Sequence, residues 1–209
     1  MINILIADDH AIVRKGLIQL LREEFTDAQV IEANNSSEVF EKIKSKVWDI
    51  ILLDISMPGR NGVEVLKQLR ADGIKAPVLM LSMHPEDQYA LRVLKAGASG
   101  FLNKDSATEE LIAAVHKVLS GRKYVSTTLA EKLAEGAGDN LNKPLHDQLS
   151  DREMQVLLLI ASGKTVSEIA NEISLSVNTI STYRTRILEK HSLNNNAEIT
   201  RYAFDHGLV

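Results

Sequence analysis

The chain contains no cysteine. That absence excludes disulfides, thiolate metal centres and cysteine nucleophiles, and it fits a reducing compartment. Long apolar runs are also missing, so no segment approaches the length needed to span a bilayer. The opening MINILIADDHAIVRKG turns acidic within its first residues, unlike the basic start and extended apolar core of a signal peptide. A cytoplasmic protein with no membrane partner is the economical expectation, and the Asn-x-Ser matches at Asn34 and Asn35 then carry no glycosylation meaning. Excess positive charge is lacking as well. The formal net charge is −4 with 25% charged residues, which argues against unselective coating of nucleic acid or membrane and leaves recognition to a local patch. Internal repeats and low-complexity tracts are absent.

What is present is a regular beat. INILIA, AQVIEA, DIILLD, PVLMLS and SGFLN are short apolar runs, and each is followed by an amphipathic stretch. Five βα units of this length imply right-handed crossovers onto one parallel sheet, so residues 1–121 are expected to form a doubly wound, five-stranded α/β domain of flavodoxin-like type. Residues 122–147 include GAGDNLNKP and a short possible helix around TTLAEKLAEG, and read as a partly helical linker. From 148 to 209 the pattern is helical throughout, four segments forming a small all-α domain. Ser150 with Glu153 gives a capping box, and Gly163 suits the helix stop that follows.

The strand ends carry the chemistry. Asp8 and Asp9 follow the first run and Asp54 ends the third. If those strands are neighbours, three carboxylates meet in one pocket, which is tolerable when a hard divalent cation such as Mg²⁺ neutralises them. The alternative reading is that Asp8 and Asp9 merely favour the positive end of the first helix. The fourth strand ends on Ser82, and Lys104 follows the fifth. Acid, acid, hydroxyl and cation at four strand ends supply what phosphoryl transfer to a carboxylate requires: Asp54 as nucleophile, Asp8 and Asp9 around the metal, Lys104 and Ser82 on phosphoryl oxygens. His10, beside the acidic pair, is either a solvated loop histidine or a group that tunes the pocket.

The set formed by Asp8-Asp9, DISMPG from Asp54, Ser82 and GASGFLNK through Lys104 resembles a bacterial response-regulator receiver domain. The resemblance implies that Asp54 is the phosphoacceptor of a partner sensor histidine kinase. It implies Mg²⁺ coordination by Asp9 with Asp8, joined by Asp54 and the backbone carbonyl of Ser56. It also implies a switch in which Ser82 moves toward the phosphoryl group while Phe101 reorients into the space behind it. Two positions depart from the family pattern. Asp105 stands where members commonly carry a proline in a cis peptide, and Phe101 lacks the hydroxyl of the more usual tyrosine.

In the tail, TVSEIANEISLSVNTISTYRTRILEKHSL has helix-turn-helix spacing: Ile169, Ala170 and Ile173, a tight turn, then Ile180, Ile187 and Leu188. Such units place the second helix in the DNA major groove. Its polar face offers Asn178, Thr179, Ser181, Thr182, Tyr183, Arg184, Thr185, Arg186 and Lys190, with Lys164 in a preceding loop near the DNA backbone. Residues 146–209 hold six Lys or Arg against eight Asp or Glu, so a single copy binds few phosphates and dimers on paired half-sites are expected. LSDREMQVL, SEIANEISLSVNTI and AEITRYAFDHGLV resemble the LuxR-type helix-turn-helix of NarL/FixJ response regulators. The resemblance implies a dimer contact on double-stranded DNA through the last helix, at Ala197, Arg201 and Phe204. Many members carry lysine and histidine where Ser181 and Tyr183 stand here, which leaves base contacts open.

SGKTVS at 162–167 echoes a phosphate-binding loop but has Leu158 where that motif needs glycine, and a helix where it needs a strand. The six histidines lack metal-ligand spacing, so no zinc site is expected. The favoured expectation is a transcription factor, not an enzyme, switched by phosphorylation and forming a homodimer. The alternatives are a Mg²⁺-dependent phosphohydrolase using Asp54 as nucleophile and a DNA-binding factor independent of phosphorylation. Haloacid-dehalogenase-type enzymes, which use an aspartate nucleophile in this way, place it on the first strand with a second Asp two residues later, and this chain has neither.

Overall fold

A computed structural model of the chain describes residues 1–83, 86–127, 129–131 and 145–209, and the chain divides into two units, Met1–Ala134 and Glu135–Val209. In the first, five strands alternate with five helices: β1 (Asn3–Ala7), α1 (Ala11–Glu24), β2 (Gln29–Ala33), α2 (Ser36–Lys42), β3 (Ile50–Asp54), α3 (Gly62–Ala71), β4 (Val78–Ser82), α4 (Glu86–Lys95), β5 (Gly100–Asn103) and α5 (Ala107–Leu119). All pairings are parallel, in the order β2-β1-β3-β4-β5. This is the α/β architecture that the alternating pattern predicts.

The central strands are apolar on both faces because both are covered. Ile4, Ile6, Ile50, Leu52, Leu79 and Leu81 pack with Leu17, Leu21, Leu111 and Val115 of α1 and α5. On the other side Leu5, Ile51, Leu53 and Met80 are equally inaccessible to water, as expected of a sheet between two helical layers. Burying one such side chain contributes roughly 1.5–3 kcal/mol. The register sets Ala7 beside Leu53, Asp54 beside Leu81 and Ser82 beside Asn103. The carboxyl ends of β1, β3, β4 and β5 therefore open at one edge, where sheets of this kind place their ligands.

The stretch expected to be linker begins against this sheet. Tyr124 donates its N–H to the Ser99 carbonyl at 2.9 Å and accepts from Phe101 N–H at 3.1 Å, a one-residue extension beside β5. The absence of a side chain at Gly100 permits it: a Cβ there would lie 2.7 Å from the Tyr124 carbonyl oxygen. Thr127 and residues 129–131 are helical, and the rest of the expected TTLAEKLAEG helix lies outside the described residues.

Among the described residues, the second unit has a short 3-10 turn (Leu145–Gln148) and four helices, α6 (Asp151–Ala161), α7 (Val166–Glu172), α8 (Val177–His191) and α9 (Asn196–Asp205). The predicted capping box is present, with Ser150 and Glu153 exchanging bonds at the start of α6, and Thr165 with Glu168 repeats it on α7. Gly163 follows α6 at φ +87°, a left-handed stop that favours glycine. Ile169, Ala170, Ile173, Ile180 and Ile187 are buried, so α7 and α8 meet through the apolar positions expected of a helix-turn-helix.

Candidate functional site

Asp54 ends a strand with no water on either face, and its side chain is inaccessible. Asp8, one residue past β1, is equally buried. Lys104, one residue past β5, places its Nζ 2.8 Å from Asp8 Oδ2 and 2.8 Å from Asp54 Oδ2. Its own backbone N–H bonds the Ser82 carbonyl at 2.8 Å, and Ser82 is buried at the end of β4. Asp9 is half-buried and completes the acidic set. The structure thus brings together Asp8, Asp9, Asp54, Ser82 and Lys104, the pocket predicted from strand ends.

The electrostatics follow from that crowding. Burial, reinforced by the Asp8 charge and opposed by Lys104, pushes the Asp54 carboxyl up to about 6. With all groups ionised, three carboxylates and one ammonium leave two negative charges. Asp8 Oδ2 and Asp54 Oδ2 share the single Lys104 ammonium, and the Asp54 carboxylate also accepts a backbone bond from Ser56. One divalent cation matches the remaining charge and the all-oxygen donor set of the three carboxylates. Carboxylate oxygens of Asp8, Asp9 and Asp54 and a ring nitrogen of His10 lie within 4.8 Å of one another. Ser56 follows Asp54 by two residues in the loop that leads to α3.

Several supporting residues were not apparent in the sequence. Gly62, the first residue of α3, sits against the Asp54 backbone so closely that a Cβ would come within 2.0 Å of its carbonyl oxygen. Asn61 and Glu64 form a capping box that fixes this helix start; the only sequence hint is an Asn-Gly pair with Glu three residues after the Asn. Arg14 donates from Nη1 to the Asp8 carbonyl at 2.6 Å and from Nε to Glu32 at 2.7 Å, holding the turn after β1. Phe101 is buried, and the Lys104–Asp105 peptide is trans.

In the second unit Asn178, Ser181, Thr182, Thr185, Arg186 and Lys190 are exposed along α8, while Thr179, Tyr183, Arg184 and Lys164 are half-buried. Asn178, Thr179, Thr182, Tyr183 and Arg186 line one shallow hollow. Three of the expected phosphate contacts already have protein partners. Lys190 pairs with the buried Glu153 at 2.6 Å, Lys164 with Glu172, and Arg184 donates to Asn196. Arg186 has no ion pair among the described residues. On α9, Ala197, Arg201 and Phe204 are all exposed, Phe204 at 73%.

Known proteins share both parts. Residues 4–116 match the response regulator receiver domain and residues 147–203 match the bacterial regulatory proteins of the luxR family. Response regulator UvrY of Escherichia coli K12 is 33% identical over 211 residues, spanning all of this chain and 96% of that protein. Response regulator GacA of Pseudomonas viridiflava is also 33% identical, with 98% of its length covered. Among solved structures, RcsB of Salmonella enterica serovar Typhimurium bound to promoter rprA in the presence of phosphomimetic BeF3⁻ is 27% identical. It superposes with a TM-score of 0.66 over 96% of this chain and 97% of that one. A parallel-sheet receiver followed by a LuxR-type helical domain defines a phosphorylation-switched DNA-binding regulator of transcription. The chain belongs to the NarL/FixJ (LuxR-type) family of response regulators.

Proposed function

We propose that Asp54 is the residue phosphorylated, that the donor is the phosphohistidine of a sensor kinase, and that the consequence is homodimerisation on double-stranded DNA. One observation carries this reading: a fully buried carboxylate faces an ammonium at 2.8 Å with two further acids beside it, at the ligand-binding edge of a receiver sheet. A carboxylate oxygen of Asp54 attacks phosphorus, the P–N bond to the donor imidazole breaks, and that imidazole takes up a proton. Lys104 pairs with one phosphoryl oxygen and the Ser82 hydroxyl donates to another. Asp8, Asp9, Asp54 and the Ser56 carbonyl hold Mg²⁺, which shields charge on the incoming group when bound. Ser82 moves toward the phosphoryl group and Phe101 reorients into the space behind it, so the two side chains report the phosphorylated state.

For the output unit, the face of α8 from Asn178 to Arg186 enters the major groove, with Arg186 on phosphate or base. Ala197, Arg201 and Phe204 recur at helical spacing on α9 and form the contact between two copies. Neutralising few phosphates per copy makes the paired arrangement necessary. The test is intact-protein mass after incubation with Mg²⁺ and acetyl phosphate, wild type beside Asp54→Asn, with light scattering on the same samples. One added phosphoryl group on the wild type alone, with a mass shift toward dimer, supports the reading. An unmodified wild type overturns it.

A further inference from the structure

The exposed side of α8 carries two neighbouring rows at helical spacing, Val177, Ser181 and Thr185 in one and Asn178, Thr182 and Arg186 in the other, while Ile180 and Ile187 face inward. Most hydroxyls of this side are already engaged. Thr182 donates from Oγ1 to the Asn178 carbonyl at 2.9 Å, and Thr185 donates to the Ser181 carbonyl at 3.0 Å. A threonine hydroxyl has one proton, so once it is turned back on the preceding turn the side chain offers its methyl to a groove laid over the helix. Half-buried Thr179 shares a hydrogen bond with Ser176 Oγ at 2.8 Å. Val177, in the first turn, adds an isopropyl group that is 47% exposed. The side-chain amide of Asn178, by contrast, has no hydrogen bond among the described residues. Arg184 and Lys190 are held by Asn196 and Glu153, which leaves Arg186 as the cation of these two rows.

We propose that this face recognises thymine methyl groups with Val177, Thr182 and Thr185 and adenine with Asn178, so that the operator half-site is read at A·T pairs. In the major groove guanine presents two acceptors and calls for donors, whereas thymine presents one acceptor and the C5 methyl. Two threonines with spent hydroxyls and an exposed isopropyl suit that methyl. The unengaged amide of Asn178 suits adenine, whose N7 accepts from it while the N6 amino group donates to it. Guanine is left to Ser181 and Arg186. The opening turns of such a helix lie nearest the base edges, and Val177, Asn178, Ser181 and Thr182 all fall there.

The inference rests on the reading of α8 as the helix that enters the major groove, and the test separates the two. Full-length protein, with and without acetyl phosphate and Mg²⁺, is used to enrich duplexes from a random pool. Single thymines of the enriched duplex are then replaced by deoxyuridine, which lacks only the C5 methyl. Fluorescence anisotropy measures binding by the wild type, Thr182→Ser, Asn178→Ala and Arg186→Ala. The expected result is half-sites dominated by A·T pairs and, for the wild type, a loss of roughly fourfold at each contacted thymine, the worth of one buried methyl-sized group. Thr182→Ser keeps the hydroxyl and removes the methyl, so at one of those thymines it should bind thymine and deoxyuridine equally. Asn178→Ala should lose about tenfold at one A·T pair. Equal binding of thymine and deoxyuridine by the wild type at every position, or a Thr182→Ser penalty that is the same on both, overturns the methyl readout and leaves α8 in the groove. Unchanged affinity in every α8 variant, Arg186→Ala included, overturns the placement of α8 and the inference with it. Failure to enrich any duplex in either condition also overturns both.

Discussion

The carbonyl oxygen of Asp54 lies where the missing side chain of Gly62 would otherwise be, 2.0 Å from the position of a Cβ. The first turn of α3 thus rests directly on the backbone of the strand that ends in Asp54. Gly62→Ala forces one of them to move, and neither is a flexible side-chain end. The expected cost is at least about 2 kcal/mol of receiver stability, with slower labelling of Asp54 by acetyl phosphate. Urea unfolding followed through the buried Trp48, combined with intact mass, checks both effects.

Asp54 also costs stability when no cation is present. Its folded carboxyl titrates at about 6, above the ordinary 3.8, chiefly through burial. The unfolded chain therefore loses its proton first, and stability declines as pH rises from about 4 to about 6, then stays level. Asp54→Asn should stabilise the metal-free receiver at pH 7.5 by on the order of 2–3 kcal/mol. The advantage should shrink toward zero near pH 4 and narrow when divalent cation is added. Melting curves at pH 4, 6 and 7.5, with and without Mg²⁺, read this directly.

The last turn of α8 contains a second titrating group, His191. It is buried, with both ring nitrogens lacking a partner among the described residues. Burial first, and then the neighbouring His146, His206 and Lys190, hold it below the ordinary histidine range against the pull of Glu153. Tyr202 packs edge-on against its ring at 4.6 Å. The unfolded chain takes up this proton as pH falls through about 6.5 while the folded chain resists, so the helical unit loses stability on acidification. His191→Leu should remove this contribution and add on the order of 1–3 kcal/mol. Amide exchange in α8 at pH 7.5 and 5.5 distinguishes the outcomes.

Arg186 and Lys190 should separate binding from folding. Arg186→Ala is expected to weaken DNA binding at every sequence or at one base, and, if the contact is to phosphate, to lower the salt slope by roughly one. Lys190→Ala removes the partner of the buried Glu153, whose carboxyl is held down by Lys190 and the Ser150 bonds despite burial. Its main effect should be on the stability of α6 and α8. Fluorescence anisotropy across salt concentrations, beside thermal melting, tests the division.

Much of the architecture was legible because it depends on local pattern. Runs such as Ile50–Leu53 are apolar at every position, which only a doubly covered strand explains, and the strand ends then deliver Asp8, Asp54, Ser82 and Lys104 to one edge. The capping box of Ser150 and Glu153 is likewise a three-residue signal. What escaped reading depends on approach between distant segments. Gly62 against the Asp54 carbonyl, Tyr124 beside Gly100, and Lys190 on Glu153 across 37 residues leave no periodic trace. On α8 a face of hydroxyls and cations was visible, but not which cations were already engaged.

The most direct test of the central claim locates the phosphoryl group. Protein treated with acetyl phosphate and Mg²⁺ is reduced with borohydride, which converts an aspartyl phosphate to homoserine, then digested and sequenced by tandem mass spectrometry. Homoserine at position 54, and at neither position 8 nor 9, is the predicted result. Conversion at another carboxylate, or at none while the wild type still binds Mg²⁺, would contradict the assignment of Asp54 as the switch.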